Sequence, residues 1–118
     1  MDVQGYRQVT ATGEALAGTE DVELIAAPGA GKVIRIQKAI VTVTVAAASA
    51  GGEVALEDGE GGTRFFEADA DAVRVCRLDF GDLGYPLTAN TALNLTVDGS
   101  AGAEATARCT VVAIIAND

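Results

Sequence analysis

The stretch from Gly29 to Val45, GAGKVIRIQKAIVTVTV, decides the fold. It opens on a Gly-Ala-Gly turn and continues with Ile34 and Ile36 set against Arg35 and Gln37. After Lys38 the alternation resumes, with Ala39, Val41, Val43 and Val45 against Ile40, Thr42 and Thr44. Val, Ile and Thr dominate, as a pleated and half-buried surface requires. The apolar phase passes from even to odd positions between the two halves. A slip of one residue turns every later side chain to the opposite face. A β-bulge near Gln37 to Ile40 is therefore expected, and the bent strand is expected to be shared between two sheets.

Working outward, VELIA at 22–26 reads as a strand ended by Pro28-Gly29, because Pro removes a ladder donor and Gly opens the turn. EVALED (53–58) and TRFFEA (63–68) flank a glycine-rich turn and carry the signature of a hairpin. VRVCRLDF (73–80), the alternation of Leu93, Leu95 and Val97, and the run Ala105 to Ile115 supply further strands; small-residue loops lie at 46–52, before EVALED, and at 100–104. At the front, Tyr6, Val9 and Ala11 suggest a short strand between Gly5 and Gly13, within an N-terminal arm spanning 1–13. Residues 14–21 read as a polar turn, and 14–118 as the folded domain. About eight strands at intervals of roughly 8 to 12 residues, with no amphipathic helix, predict an all-β, single-domain antiparallel β-sandwich.

The chain has 118 residues, 49 % of them apolar, enough to bury a core without staples. Its net charge is −9, from 17 acidic and 8 basic residues. That balance opposes nucleic-acid binding, which draws its affinity from Lys and Arg on phosphates. No apolar run approaches the roughly 18 to 20 residues of a membrane helix. The start, MDVQGYRQVTATGE, lacks the apolar core of a signal peptide, so synthesis in a cytoplasm is expected. Cys76 and Cys109 lie inside apolar strand patterns and are expected as buried free thiols.

Residues capable of chemistry are few. GAGK at 29–32 invites a phosphate-loop reading, but position 26 is Ala where that loop needs Gly, and Val33 stands where it needs Ser or Thr. A strand follows it, so no helix end is there to hold phosphate. Glu57, Asp58 and Glu60, with Asp69 and Asp71, offer oxygen ligands for Ca²⁺. They lack the EF-hand spacing and read as solvated acidic turns. With no His in the chain and no Ser in a nucleophile setting, neither enzymatic activity nor a cofactor or metal is expected. Phe65 and Phe66 are expected on opposite faces of one strand, and Val112 and Ile114 make the last strand apolar on both faces. With the arm, these define a candidate interaction surface of Val3, Tyr6, Val9, Phe66, Val112 and Ile114.

Three segments taken together resemble the small jelly-roll structural proteins of tailed bacteriophages, especially those that decorate or cement the capsid. They are APGAGKVIRIQKAIVTVTVAA, EVALEDGEGGTRFFEA and LGYPLTANTALNLTVDGSAGAEATARCTVVAII. The likeness covers about residues 22 to 116; residues 1–21 stand outside it. It implies a jelly-roll-like sandwich that is not an enzyme and brings no catalytic residues. It further implies a homotrimer on the exterior of the virion, bound to the major capsid protein and stabilising the shell. Related phage jelly rolls in head fibres and tails imply an alternative role in carbohydrate or receptor binding.

Overall fold

Nine strands and no helix make up the described residues, 7–16, 21–45, 53–70, 73–97 and 105–118 of a computed structural model. They are β1 (Arg7–Leu16), β2 (Asp21–Ile25), β3 (Lys32–Val45), β4 (Glu53–Asp58), β5 (Thr63–Asp69), β6 (Arg74–Asp79), β7 (Tyr85–Pro86), β8 (Leu93–Val97) and β9 (Ala105–Asn117). The pairing is nested. β4 and β5 form the innermost hairpin, β3 pairs β6 outside it, β2 pairs β8, and β1 pairs β9. One sheet has the order β1-β9-β3-β6, with β7 also on β3, and the other has the order β2-β8-β4-β5. A long antiparallel hairpin rolled into two such layers is a jelly roll. The expected antiparallel sandwich is the architecture observed.

β3 carries the predicted irregularity. Its register against β9 shifts between Ile36 and Lys38, so Gln37 is the extra residue. Ile34 and Ile36 are buried before it, and Ala39, Val41 and Val43 after it. Gln37 is held there by its carbonyl, which accepts from the Phe80 amide at 2.8 Å, and by its Nε2, which donates to the Asp82 carbonyl at 2.7 Å. The expectation that β3 is shared between two sheets is corrected. β3 stays in the first sheet and pairs β9 from Lys32↔Asn117 to Val45↔Ala105. On its other side the partner changes from β7 to β6 across the bulge. The bulge alone restores the buried phase, and leaving the sheet would orphan half of the β9 ladder.

The arm is also corrected. β1 runs unbroken through Gly13 and pairs β9 from Arg7↔Ile115 to Leu16↔Thr106, so residues 7–13 belong to the sandwich and 14–16 are strand. Gly13 is no break: a Cβ there would collide with the Leu24 side chain of the facing sheet. Its small size lets β1 and β2 approach across the layers. Residues 1–6 of the expected arm, and the loops at 46–52 and 100–104, lie outside the described residues.

Ile34, Ile36, Val41, Leu56, Leu95 and Val111 are among the side chains filling the space between the sheets. Cys109 lies in this core, and burial pushes its thiol up to about 12, far from thiolate reactivity at neutral pH. Cys76 is half-buried on β6, and neither cysteine is bridged. The GAGK segment is a tight turn, with Gly29 at φ 108° and Gly31 at φ 76°. The Lys32 amide bonds the Gly29 carbonyl at 3.2 Å, and the Gly29 amide bonds Asn90 Oδ1 at 2.9 Å. Amides engaged in this way leave no nest for a phosphate.

Candidate functional site

The described residues bring together no catalytic constellation and no group of three or more Cys, Asp or Glu placed to hold a metal. The carboxylates read as possible Ca²⁺ ligands point apart. Asp58 accepts the Thr88 amide on both oxygens at 3.0 Å, and the Thr88 hydroxyl at 2.7 Å. Its neighbour Glu57 points to the outer face of the second sheet, and Asp71 lies outside the described residues. What remains as candidate site is surface: the two outer faces and the flank between β5 and β7.

Register sets the outer face of the first sheet. Thr10, Val112, Lys38 and Asp79 stand in one cross-strand row, and Thr12, Thr110, Ile40 and Arg77 in the next. A third holds Glu14, Arg108, Thr42 and Val75, where Arg108 Nη2 lies 3.5 Å from Glu14 Oε2. Between the first two rows lies a shallow groove of about 310 Å³, lined by the apolar Ile40 and Val112 together with Lys38, Arg77 and Asp79. Ile40 is 44 % exposed and Val75 52 %. This is an apolar centre with a charged rim, the common anatomy of a protein interface.

The outer face of the second sheet is acidic. Asp21, Thr96, Ala55 and Glu67 form one row, and Glu23, Asn94, Glu57 and Arg64 the next. Glu57 is only 4 % exposed. Burial raises its pKa above the usual carboxylate value, and a hydrogen bond with Asp21 and the repulsion of that charge raise it further. The Gly61 amide and the Arg64 guanidinium, 3.6 Å away, act in the opposite direction. Asn94 Nδ2 donates to Asp21 Oδ1 at 2.6 Å and so ties the pair to β8. A carboxyl whose folded pKa is raised favours folding below its unfolded pKa, and that contribution is lost as pH rises through the folded value. Glu57→Gln keeps a donor toward Asp21 without the charge. It is expected to raise stability at pH 7 by roughly 1 kcal/mol, the scale of one net hydrogen bond, and the gain should vanish by about pH 4. Urea titrations of both proteins at the two pH values check this.

At the flank, the register of β4 against β5 shifts so that Leu56 faces Phe66 and Glu57 faces Arg64, leaving Phe65 as the bulged residue. The two phenylalanines therefore do not fall on opposite faces, and both pack against the core. Phe65 stacks on Tyr85 at a centroid distance of 4.9 Å and meets Phe80 edge-on at 6.2 Å. The chain covers its own second aromatic. Tyr85 remains 36 % exposed beside Leu83.

Of the residues named from sequence, Val3 and Tyr6 lie outside the described residues. Val9 is half-buried opposite Ala113 and packs on the core, as Phe66 does. Val112 lines the groove. Ile114 shares its face but is buried between Gln8 and Arg35. The residues missed are Ile40, Val75, Val73 and Leu83, all exposed. Ile40 was findable: it is the apolar exception in a row of threonines, on the face opposite Val41.

No family model and no curated protein matches the chain. Among solved structures it is similar to a protein of Bacillus endospore appendages, which are disulfide-linked pili, with a TM-score of 0.50 and 15 % identity over 95 % of this chain and 88 % of that one. It also aligns with a protein of the virus-like particle of extra small virus from the giant freshwater prawn Macrobrachium rosenbergii, with a TM-score of 0.41 and 13 % identity over 100 % of this chain and 84 % of that one. At 15 % identity, what the chain shares with the appendage protein is the fold, a two-sheet antiparallel sandwich.

Proposed function

We propose that this chain is a non-enzymatic structural protein of a phage particle, a decoration protein that binds the capsid exterior as a homotrimer and bridges neighbouring shell subunits. The observation that carries the reading is a jelly roll whose described residues assemble no catalytic group, while an outer sheet face presents an apolar groove with a charged rim. Bridging raises the free energy of separating two shell subunits, and repetition over many copies multiplies a weak contact. Purified protein added to undecorated shells is expected to bind in a fixed ratio and to raise their resistance to heat. Failure to bind, or shells equally heat-resistant without it, would discard the reading.

A second reading, a fibre or tail module for carbohydrate or receptor binding, is favoured by the exposed Tyr85 over Phe65 and Phe80. Stacked aromatics at a surface offer an apolar platform with a polar tip. Glycan-array binding abolished by Tyr85→Ala would replace the first reading with this one.

A further inference from the structure

The charges of this acidic chain are sorted by sheet. Of its eight Lys and Arg, seven lie on strands of the first sheet, which carry only two acids, Glu14 and Asp79. The strands of the second sheet carry seven acids and one base, Arg64. Register places Lys38, Arg77, Arg108 and Arg35 on the outer face of the first sheet, against Asp79 and Glu14. It places Asp21, Glu23, Glu57 and Glu67 on the outer face of the second, against Arg64. One molecule thus presents a basic face with an apolar groove on one side and an acidic face on the other.

We propose that a second copy of this chain is the partner of these faces, the outer face of the first sheet of one copy docking on the outer face of the second sheet of the next. Charge complementarity argues for it. A chain of net charge −9 repels its copies at long range, yet with the charges sorted in this way the faces attract once apart by less than a Debye length, about 8 Å at physiological salt. Area permits it as well. The molecule extends 48 × 24 × 17 Å, and its broad faces can accommodate the roughly 800 Å² per partner of a stable interface. The contact is heterologous and joins opposed faces, so it does not close in a dimer; each added copy leaves one basic and one acidic face free. It goes beyond the decoration reading: it needs no shell, and a second copy seated on the groove would compete with a shell for the same face.

The test uses sedimentation velocity on the full chain in low and high salt, with two charge-reversed variants at exposed sites, Lys38→Glu with Arg77→Glu and Glu23→Lys with Glu67→Lys. Wild type is expected to associate progressively with concentration at about 20 mM salt and to disperse at about 0.5 M, where the screening length falls to a few ångströms. Each variant alone has two faces of one sign and is expected to stay monomeric in low salt, with unchanged circular dichroism. The equimolar mixture is expected to regain association, because every face then meets its complement. Both variants remain net negative, so recovery is not a matter of overall charge. A wild type that stays monomeric overturns the proposal, as does a Glu23→Lys, Glu67→Lys variant that still self-associates or a mixture that stays monomeric. Shell binding is read separately on wild type, so the two proposals fail independently.

Discussion

Val41→Asp is expected to abolish folding, whereas Ile40→Asp, one residue away on the same strand, is expected to leave a cooperatively folded protein. Val41 is fully buried opposite Cys76 and Cys109, and among the described residues its register partners offer no cation and only weak thiol donors. A carboxylate there has lost its water without gaining a partner, a cost of several kcal/mol. The lost burial of the Val side chain adds roughly 1.5 to 3 kcal/mol. Together these approach the whole stability of a domain this size, about 5 to 15 kcal/mol. Ile40 is 44 % exposed and opposite Arg77, so its replacement keeps water and gains a cation. Its cost is limited to strand propensity, about 1 kcal/mol or less. Far-ultraviolet circular dichroism through a thermal scan separates the two. Equal tolerance of both changes would mean that β3 does not hold the register given by the bulge at Gln37.

That bulge is legible in the local pattern, whereas the partners it brings together are not. The phase change in β3 is a local pattern, and it located the extra residue to within a few positions. The hairpin of β4 and β5 was visible for the same reason: its strands are separated only by a glycine-rich turn. The fate of β3 after the bulge was not visible. Whether a bent strand changes sheets depends on its neighbours, and β9 joins it from 60 to 85 positions downstream. Gly13 is ambiguous for a related reason. A glycine that ends a strand and one that makes room for Leu24 look alike until the facing sheet is known. A strict period of two puts Phe65 and Phe66 on opposite faces, and a bulge at Phe65 breaks that period. The two-residue β7 is too short to show any period. The sorting of charge was hidden most completely. Lys38, Arg77 and Arg108 are scattered along the chain, and only the order β9-β3-β6 puts them on one face.

Ile36→Ala carries the second large effect, and it separates scaffold from surface. Ile36 is fully buried just before the bulge, between Tyr85 of β7 and Ala113 of β9. Removing its three outer carbons loses transfer energy and leaves a cavity, a cost of about 2 to 5 kcal/mol for a site of this kind. Ile36→Val removes one carbon and should cost about 0.5 to 1.5 kcal/mol. The urea midpoint should fall in that order with the slope unchanged, since the surface exposed on unfolding is nearly the same. A cost below about 1 kcal/mol for the alanine variant would mean that the space closes around it, contrary to a core held rigid from both sheets. Ile36 contributes no atom to either outer face, so its loss acts only on the fraction folded. Under conditions where the alanine variant remains folded, it should associate in low salt as wild type does. A folded Ile36→Ala protein unable to associate would place the contact at the β7 flank, where Ile36 stands opposite Tyr85, and away from the charged faces.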